Sequence, residues 1–385
     1  MSRIRLLLSI ALIGLFPATA HAEIVGGPLL TQGIIVKSAA GVPALPSTTA
    51  ESYLIADAQT GEVLAAKNPH QQLPPASTLK TLTALSLLPR LDKSSTYVGQ
   101  ASDGKVDGQR AGVYPGRAYT VDSLFYALFL YSGNDAANAL ANSAGGLAQT
   151  LKYMRAEATR LQALDTVPKS PHGLDRPGQV SSAYDLALIA RAALKRDDFR
   201  KYMGTKTYTF AGSGKANKSV EFINQNKLLF NYSGTIGMKT GYTTQGRNTY
   251  VGVATRNGHT LIVTLMHLPY GRDALATSLF NWGFKAIGKV EPVGNLVEPQ
   301  SGSPRVEATA AYNDPKNVST PAPTALKAST EKKSPEVFPT LPLGPLKWLL
   351  IPVLLVIGLR ARVRYLMWRK ARRRGLYQRT NPIAS

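Results

Sequence analysis

The sequence predicts an α+β fold: one antiparallel sheet flanked by helices, an all-helical subregion between its first and last strands, and a transmembrane helix near the C-terminus. Short runs of strand character stand at both ends of segment 50–288, and apolar helical patterns fill its middle. Asn257-Gly258 between two apolar runs signals a hairpin. Apolar runs near both termini bracket the whole.

At the N-terminus, Arg3 and Arg5 accompany an apolar run from Ile4 to Phe16 and a small-residue exit at Ala20-His21-Ala22. Residues 1–22 therefore read as a signal peptide, the run being short for a membrane span of about 20 residues. Residues 23–49 read as an N-terminal linker. Ser52 to Asp57 and Glu62 to Ala66, separated by Ala58-Gln59-Thr60-Gly61, make a hairpin. Ser77 to Leu88 is a helix ended by Pro89. Thr120 caps a second, Val121 to Tyr131, and Ser182-Ala183-Tyr184-Asp185 opens a third with a capping signature.

Strands return at Gly237 to Tyr242, Thr249 to Thr255 and Thr260 to His267, and Ala274 to Phe284 closes the domain as a helix packed on the sheet. Residues 289–340 turn to Pro, Ala, Ser and Thr without sustained apolar period, the composition of a stalk. Leu341 to Leu359 is apolar apart from Lys347 and would reach about 28 Å as a helix, one hydrocarbon thickness. Pro342 and Pro345 fall where that helix begins, a position that tolerates proline; Pro352 lies inside. Residues 360–385 form a basic tail expected to stay in the cytoplasm, which places the domain outside.

The formal charge of +22 would by itself suggest nucleic acid or an anionic membrane as partner. Its distribution decides for the membrane: Arg360 to Arg379 holds nine Arg and Lys and no acid. No nucleic-acid partner is expected. The absence of cysteine excludes thiol nucleophiles, cysteine-ligated zinc, iron–sulfur clusters and disulfides. The five His are too scattered for a metal cage, so neither metal nor cofactor is expected.

Ser77-Thr78-Leu79-Lys80 starts a predicted helix, which puts Ser77 and Lys80 one turn apart on one face. Serine is a poor nucleophile until a neighbour takes its proton, and a lysine does so only when burial or another cation lowers its pKa. The same spacing recurs at Ser329-Thr330-Glu331-Lys332, but there no apolar helix holds it, whereas Leu79, Leu82, Leu85 and Leu88 support the first copy. Ser132-Gly133-Asn134 lies between an apolar helix and an Ala-rich one; both residue types also serve as helix caps. Lys239-Thr240-Gly241 ends a short strand, where glycine lets another backbone approach closely. A phosphate loop is excluded because no glycine-rich lead precedes Lys239.

In the order S-x-x-K, S-x-N, K-T-G, the chain resembles the penicillin-recognising serine enzymes, and among them the low-molecular-weight D-alanyl-D-alanine carboxypeptidases. The likeness runs over Pro75 to Lys80 and Tyr131-Ser132-Gly133-Asn134-Asp135-Ala136-Ala137, then through His172-Gly173-Leu174-Asp175, Ser181 to Ala187, Gly237 to Tyr242 and Asn281-Trp282-Gly283-Phe284. It implies a β-lactamase/penicillin-binding-protein-like fold and removal of the terminal D-alanine from peptidoglycan stem peptides, with β-lactams as inhibitors. Ser77 would be the acylated nucleophile, Lys80 its base and Ser132 a proton relay. Asn134 would hold the peptide, Lys239 would supply positive potential, and Thr240 would bind the terminal carboxylate. Backbone N–H groups of Ser77 and Tyr242, beside Gly241, would form the oxyanion hole. Arg272, in Tyr270-Gly271-Arg272, resembles an arginine that pairs with the substrate carboxylate.

Two departures stand out. Tyr242 replaces the His that some relatives carry, and the stalk is too polar and proline-rich for the small β-rich domain found before the membrane attachment of many members. Three alternatives remain at this point. A β-lactamase would carry E-x-x-L-N between Ser132 and Lys239, and Glu157, followed by Ala158-Thr159-Arg160-Leu161, does not fit. An endopeptidase cutting D-alanyl cross-links would use the same residues, and a non-catalytic envelope protein would keep only the cleft.

Overall fold

The structure, a computed structural model, describes residues 24–212 and 218–301. The expected signal peptide, the stalk beyond residue 301, the membrane helix and the basic tail lie outside these residues. Among the described residues no helix is long and apolar enough to cross a membrane.

The sheet begins earlier than periodicity suggests. Strand β1 (Ile34–Val36) pairs antiparallel with β3 (Glu62–Lys67), which forms the expected hairpin with β2 (Ser52–Asp57). A 3₁₀ turn, Ala76–Leu79, leads into α1 (Lys80–Leu87), so the predicted helix over 77–88 opens with a tighter turn at its N-terminal end. A small sheet of β4 (Thr96–Val98) and β5 (Ala118–Thr120) follows. Next come α2 (Val121–Leu130), α3 (Asn134–Ser143) and α4 (Leu147–Arg160), the all-helical subregion. The Thr120 hydroxyl accepts from Ser123 N and the Ser182 hydroxyl from Asp185 N, so both expected caps are in place, the second at the start of α5 (Ala183–Leu194).

Beyond α6 (Asp197–Gly204), β6 (Thr207–Phe210) and β7 (Val220–Ile223) form a second small sheet, followed by the short α7 (Leu228–Asn231). The meander β8 (Thr235–Thr243), β9 (Arg247–Arg256) and β10 (His259–Leu268) then returns to the main sheet, and α8 (Arg272–Ala286) and β11 (Gly294–Asn295) complete the fold. The main sheet runs β1-β3-β2-β10-β9-β8, with β11 also on β3, all antiparallel. Asn257 (φ 51°) and Gly258 (φ 81°) both take the left-handed conformation at the β9–β10 turn, as a two-residue hairpin requires.

Side chains alternate between the two faces of the sheet. Leu54, Ala56, Val251, Val253 and Ile262 face the core shared with α1 and α5; Tyr53, Ile55, Tyr250, Leu261 and Val263 pack with Leu279, Phe280 and Trp282 of α8. Because both faces are covered, β2 is buried throughout and reads in sequence as a continuous run. Gly283 brings α8 close to the sheet: a Cβ there would stand 2.7 Å from Leu261 and 3.0 Å from Ile55.

Two expected boundaries are corrected. The described part of the expected 23–49 linker, residues 24–49, packs on the domain: Leu30 is buried, β1 extends the sheet, and Val42 and Leu45 pack beside α8, where Trp282 Nε1 donates to Pro43 O at 2.8 Å. Nor does the domain end at 288. Val293 and Leu296 are buried, Tyr184 donates to Asn295 O at 2.7 Å, and Arg191 donates to Leu296 O at 3.1 Å. The folded unit therefore takes in both flanks of 50–288. Backbone pairing and carbonyl contacts hold these flanks, and such contacts leave little trace in side-chain periodicity.

Candidate active site

Lys80 is wholly buried, yet its side-chain nitrogen has three partners. Nζ stands 2.9 Å from Ser77 Oγ, 2.7 Å from Asn134 Oδ1 and 2.7 Å from His172 O. The 3₁₀ turn and the start of α1 set the first contact, the start of α3 supplies the second, and loop 170–176 the third. Burial first, and then the charge of Lys239, lower the Lys80 pKa well below that of a free lysine; Asp135 opposes them. A neutral amine can donate to the Asn134 and His172 oxygens while its lone pair faces the Ser77 hydroxyl, the arrangement needed to take that proton. Ser77 is itself partly exposed, so solvent and ligands reach it.

Lys239 is also buried, and its pKa is pushed down to about 7 by burial and the nearby Arg272. Its Nζ donates to Thr240 O at 2.8 Å. The K-T-G segment lies inside β8 rather than at its end, because β8 continues to Thr243 along the outer edge of the sheet. Gly241 faces the 3₁₀ turn: a Cβ there would stand 2.8 Å from Ser77 N and 3.1 Å from Thr78 N. Glycine thus lets the strand edge, with Tyr242 next in line, lie against the Ser77 N–H. The Tyr242 side chain is 60% exposed.

Left-handed backbone recurs at the motifs. Ala76, just before Ser77, has φ 50°; Ser132 itself has φ 61°; Met238, just before Lys239, has φ 113°. Non-glycine residues hold such angles only where the surroundings enforce them. At Ala76 the carbonyl lies against Gly173, where a Cβ would come within 1.9 Å of Ala76 O, so only glycine there leaves room for this turn.

Of the sequence-predicted site residues, Ser77, Lys80 and Asn134 form one hydrogen-bonded cluster, and Lys239 joins it through its charge on Lys80. None of the hydrogen bonds among the described residues involves the Ser132 hydroxyl, although Ser132 is buried beside Asn134. Arg272 starts α8, donates from Nε to Asp273 Oδ1 at 2.8 Å and acts on Lys239 through space.

Sequence reasoning missed four supports. The His172 carbonyl, like any backbone acceptor, has no signature of its own. The His172 ring is held neutral, its pKa pushed down to about 3 by burial and by the charges of Lys80 and Arg176. Asp175 accepts from Thr243 Oγ1 at 2.7 Å and from Gln245 N at 3.0 Å, and so ties loop 170–176 to the tip of β8. Asp135 accepts the N–H groups of Ala111, Gly112 and Val113 and thereby fastens the loop after β4 to α3. A signal for the last two was present, since both are short acidic side chains inside motif stretches.

A family model described as D-alanyl-D-alanine carboxypeptidase, Peptidase S11, matches residues 38–269. The chain is similar to the D-alanyl-D-alanine carboxypeptidase DacB2 of Mycobacterium tuberculosis, at 40% identity over 68% of this chain and 90% of that one. It is also similar to DacA of Escherichia coli, at 31% identity over 75% of this chain and 71% of that one. Among solved structures, a D-alanyl-D-alanine carboxypeptidase of Mycobacterium tuberculosis superposes with a TM-score of 0.63 at 38% identity, covering 67% of this chain and 99% of that one. The DD-transpeptidase of Streptomyces K15 gives 0.59 at 30% identity, covering 63% and 99%.

Proposed function

The chain belongs to the peptidase S11 family of D-alanyl-D-alanine carboxypeptidases, and we propose that it removes the C-terminal D-alanine from peptidoglycan stem peptides through an acyl-enzyme on Ser77. It is a serine-type carboxypeptidase of the low-molecular-weight penicillin-binding class. The observation that carries the assignment of roles is the buried Lys80 amine, 2.9 Å from Ser77 Oγ and held beside a second cation.

Ser77 Oγ attacks the carbonyl carbon of the penultimate D-alanine while its proton passes to Lys80 Nζ. The oxyanion that forms is stabilised by the N–H groups of Ser77 and Tyr242, which the Gly241 contact supports. When the C–N bond breaks, the leaving amine takes a proton relayed by Ser132. Water then attacks the ester, gives its proton to Lys80 and frees Ser77. Asn134 holds the peptide, and Thr240, Lys239 and Arg272 receive the terminal carboxylate. A β-lactam acylates Ser77 in the same way and leaves slowly.

Export and anchoring follow from the sequence ends: we propose cleavage after Ala22 and a membrane helix at 341–359 that holds the domain outside. The stalk then starts beyond the last buried contacts, near residue 302.

The test is mass spectrometry of the full-length chain incubated with a pentapeptide ending in D-Ala-D-Ala and, separately, with its L-Ala-L-Ala counterpart. Release of a single D-alanine from the first alone is the expected result. No release, with penicillin still bound at Ser77, would shift the reading to an endopeptidase on cross-links.

The pH profile offers a second check. Acylation needs neutral Lys80, so kcat/KM falls as pH drops through its lowered pKa and the amine takes up a proton. Removing the neighbouring charge with Lys239→Met lets that pKa rise, and the acid limb of the profile moves to higher pH. A limb that stays put, or moves to lower pH, contradicts the coupling of the two lysines.

A further inference from the structure

A cavity of about 500 Å³ lies between loop 102–107, α3 and loop 170–176. It shares its walls with the catalytic cluster. Asp107 O accepts from Asn134 Nδ2 at 2.7 Å, and His172 O accepts from Lys80 Nζ at 2.7 Å. Three charged side chains line it without an ion pair or a side-chain hydrogen bond among the described residues: Lys105, Asp107 and Arg176. The other carboxylate on its wall, Asp175, is committed to Thr243 and Gln245, and the neutral His172 ring adds no charge.

Two uncommitted cations and one uncommitted anion suit a ligand that carries both signs. A lone carboxylate would leave Asp107 unused, and a lone ammonium would face two like charges. A zwitterionic amino-acid group uses all three, its carboxylate between Lys105 and Arg176 and its ammonium on Asp107. We propose that this cavity is a specificity subsite for the zwitterionic end of a diamino-acid side chain in the stem peptide. The proposal rests on the carboxypeptidase reading above. In such a stem the diamino acid immediately precedes the D-alanine acylated onto Ser77, so its backbone lies one residue, about 3.5 Å, from the reacting unit. Two residues of the cavity wall, Asp107 and His172, adjoin the cluster around Ser77, their carbonyls accepting from Asn134 and Lys80.

Binding is measured on the full-length Ser77→Ala protein, so that no turnover is needed. Calorimetric titration uses three pentapeptides that differ only at the third residue: meso-diaminopimelate, L-lysine or uncharged L-norleucine. The diaminopimelate peptide is expected to bind at least ~10-fold more tightly than the norleucine peptide, as charge-assisted hydrogen bonds allow. Arg176→Ala should lower that ratio several-fold. Asp107→Asn, which keeps the backbone carbonyl used by Asn134, should lower it as well. Equal affinity for the three peptides, or a preference that survives both substitutions, overturns the subsite. Release of D-alanine from the diaminopimelate peptide by the Ser77 protein is scored separately. Release with equal affinities sinks the subsite alone, whereas graded affinities without release keep the subsite and sink the carboxypeptidase reading.

Discussion

Ser77→Ala releases D-alanine at least ~10⁴-fold more slowly than the parent chain and takes up no penicillin, because the hydroxyl that stands 2.9 Å from Lys80 Nζ is gone. Lys80→Met, of similar length but without a lone pair, falls nearly as far. The two residues act as one unit: an undeprotonated serine hardly attacks, and a base without a nucleophile has nothing to activate. The double variant should therefore be no worse than Ser77→Ala, a non-additivity that independent contributions would not give. Penicillin labelling followed by mass spectrometry reads the acylation step directly. Labelling of Lys80→Met at the parental rate would remove Lys80 from the role of base. Thermal melting of Ser77→Ala should stay close to that of the parent, since Ser77 lies on the rim of the site and the substitution opens no cavity in the core.

Asp135→Ala carries the largest expected effect on stability. Its carboxylate is 1% exposed and accepts the N–H groups of Ala111, Gly112 and Val113 at 2.7, 2.7 and 2.9 Å, with Ala136 N at 2.9 Å. Three of these donors belong to another segment and would be stranded without a partner, at about 1–3 kcal/mol each. A loss of at least about 3 kcal/mol is expected, which at roughly 2–4 °C per kcal/mol for a domain of this size is a fall in Tm of about 6–12 °C or more. Activity should fall further than stability alone explains. Asn134 is held by the same loop, with its N–H on Gln109 O and its amide on Asp107 O, so a loosened loop releases the side chain that positions Lys80. A melt within ~2 °C of the parent would mean that solvent or a shifted loop satisfies the stranded donors.

The two substitutions fall on opposite sides of what the chain discloses before folding. Ser77 and Lys80 are legible because a helix converts a spacing of three into a shared face, and the apolar residues that support that face lie in the same run. The Asn257-Gly258 hairpin and the caps at Thr120 and Ser182 are legible for a like reason: each is a local interaction, complete within four residues. Gly241 was legible as a point of close approach, though not what approaches it. Asp135 and Asp175 were visible as letters in motif stretches, but their work is done on segments about 23 and 70 residues away, and no local pattern encodes those partners.

The chain ends of the domain show the same limit from the other direction. β1 has three residues and β11 two, too few for a period, and their pairing with β3 uses backbone groups that every residue carries. By itself the sequence determined the order of sheet and helices, the Ser77–Lys80 pair proposed as nucleophile and base, and the two further motifs beside it. Tertiary structure alone decided where the domain begins and ends, that the His172 carbonyl braces Lys80, and that Lys105, Asp107 and Arg176 surround one cavity. The physical reason is that desolvation and carbonyl contacts are properties of a packed arrangement. Neither exists until distant segments close around the same volume, and it is that closure which lowers the Lys80 pKa, as the proposed role of base requires.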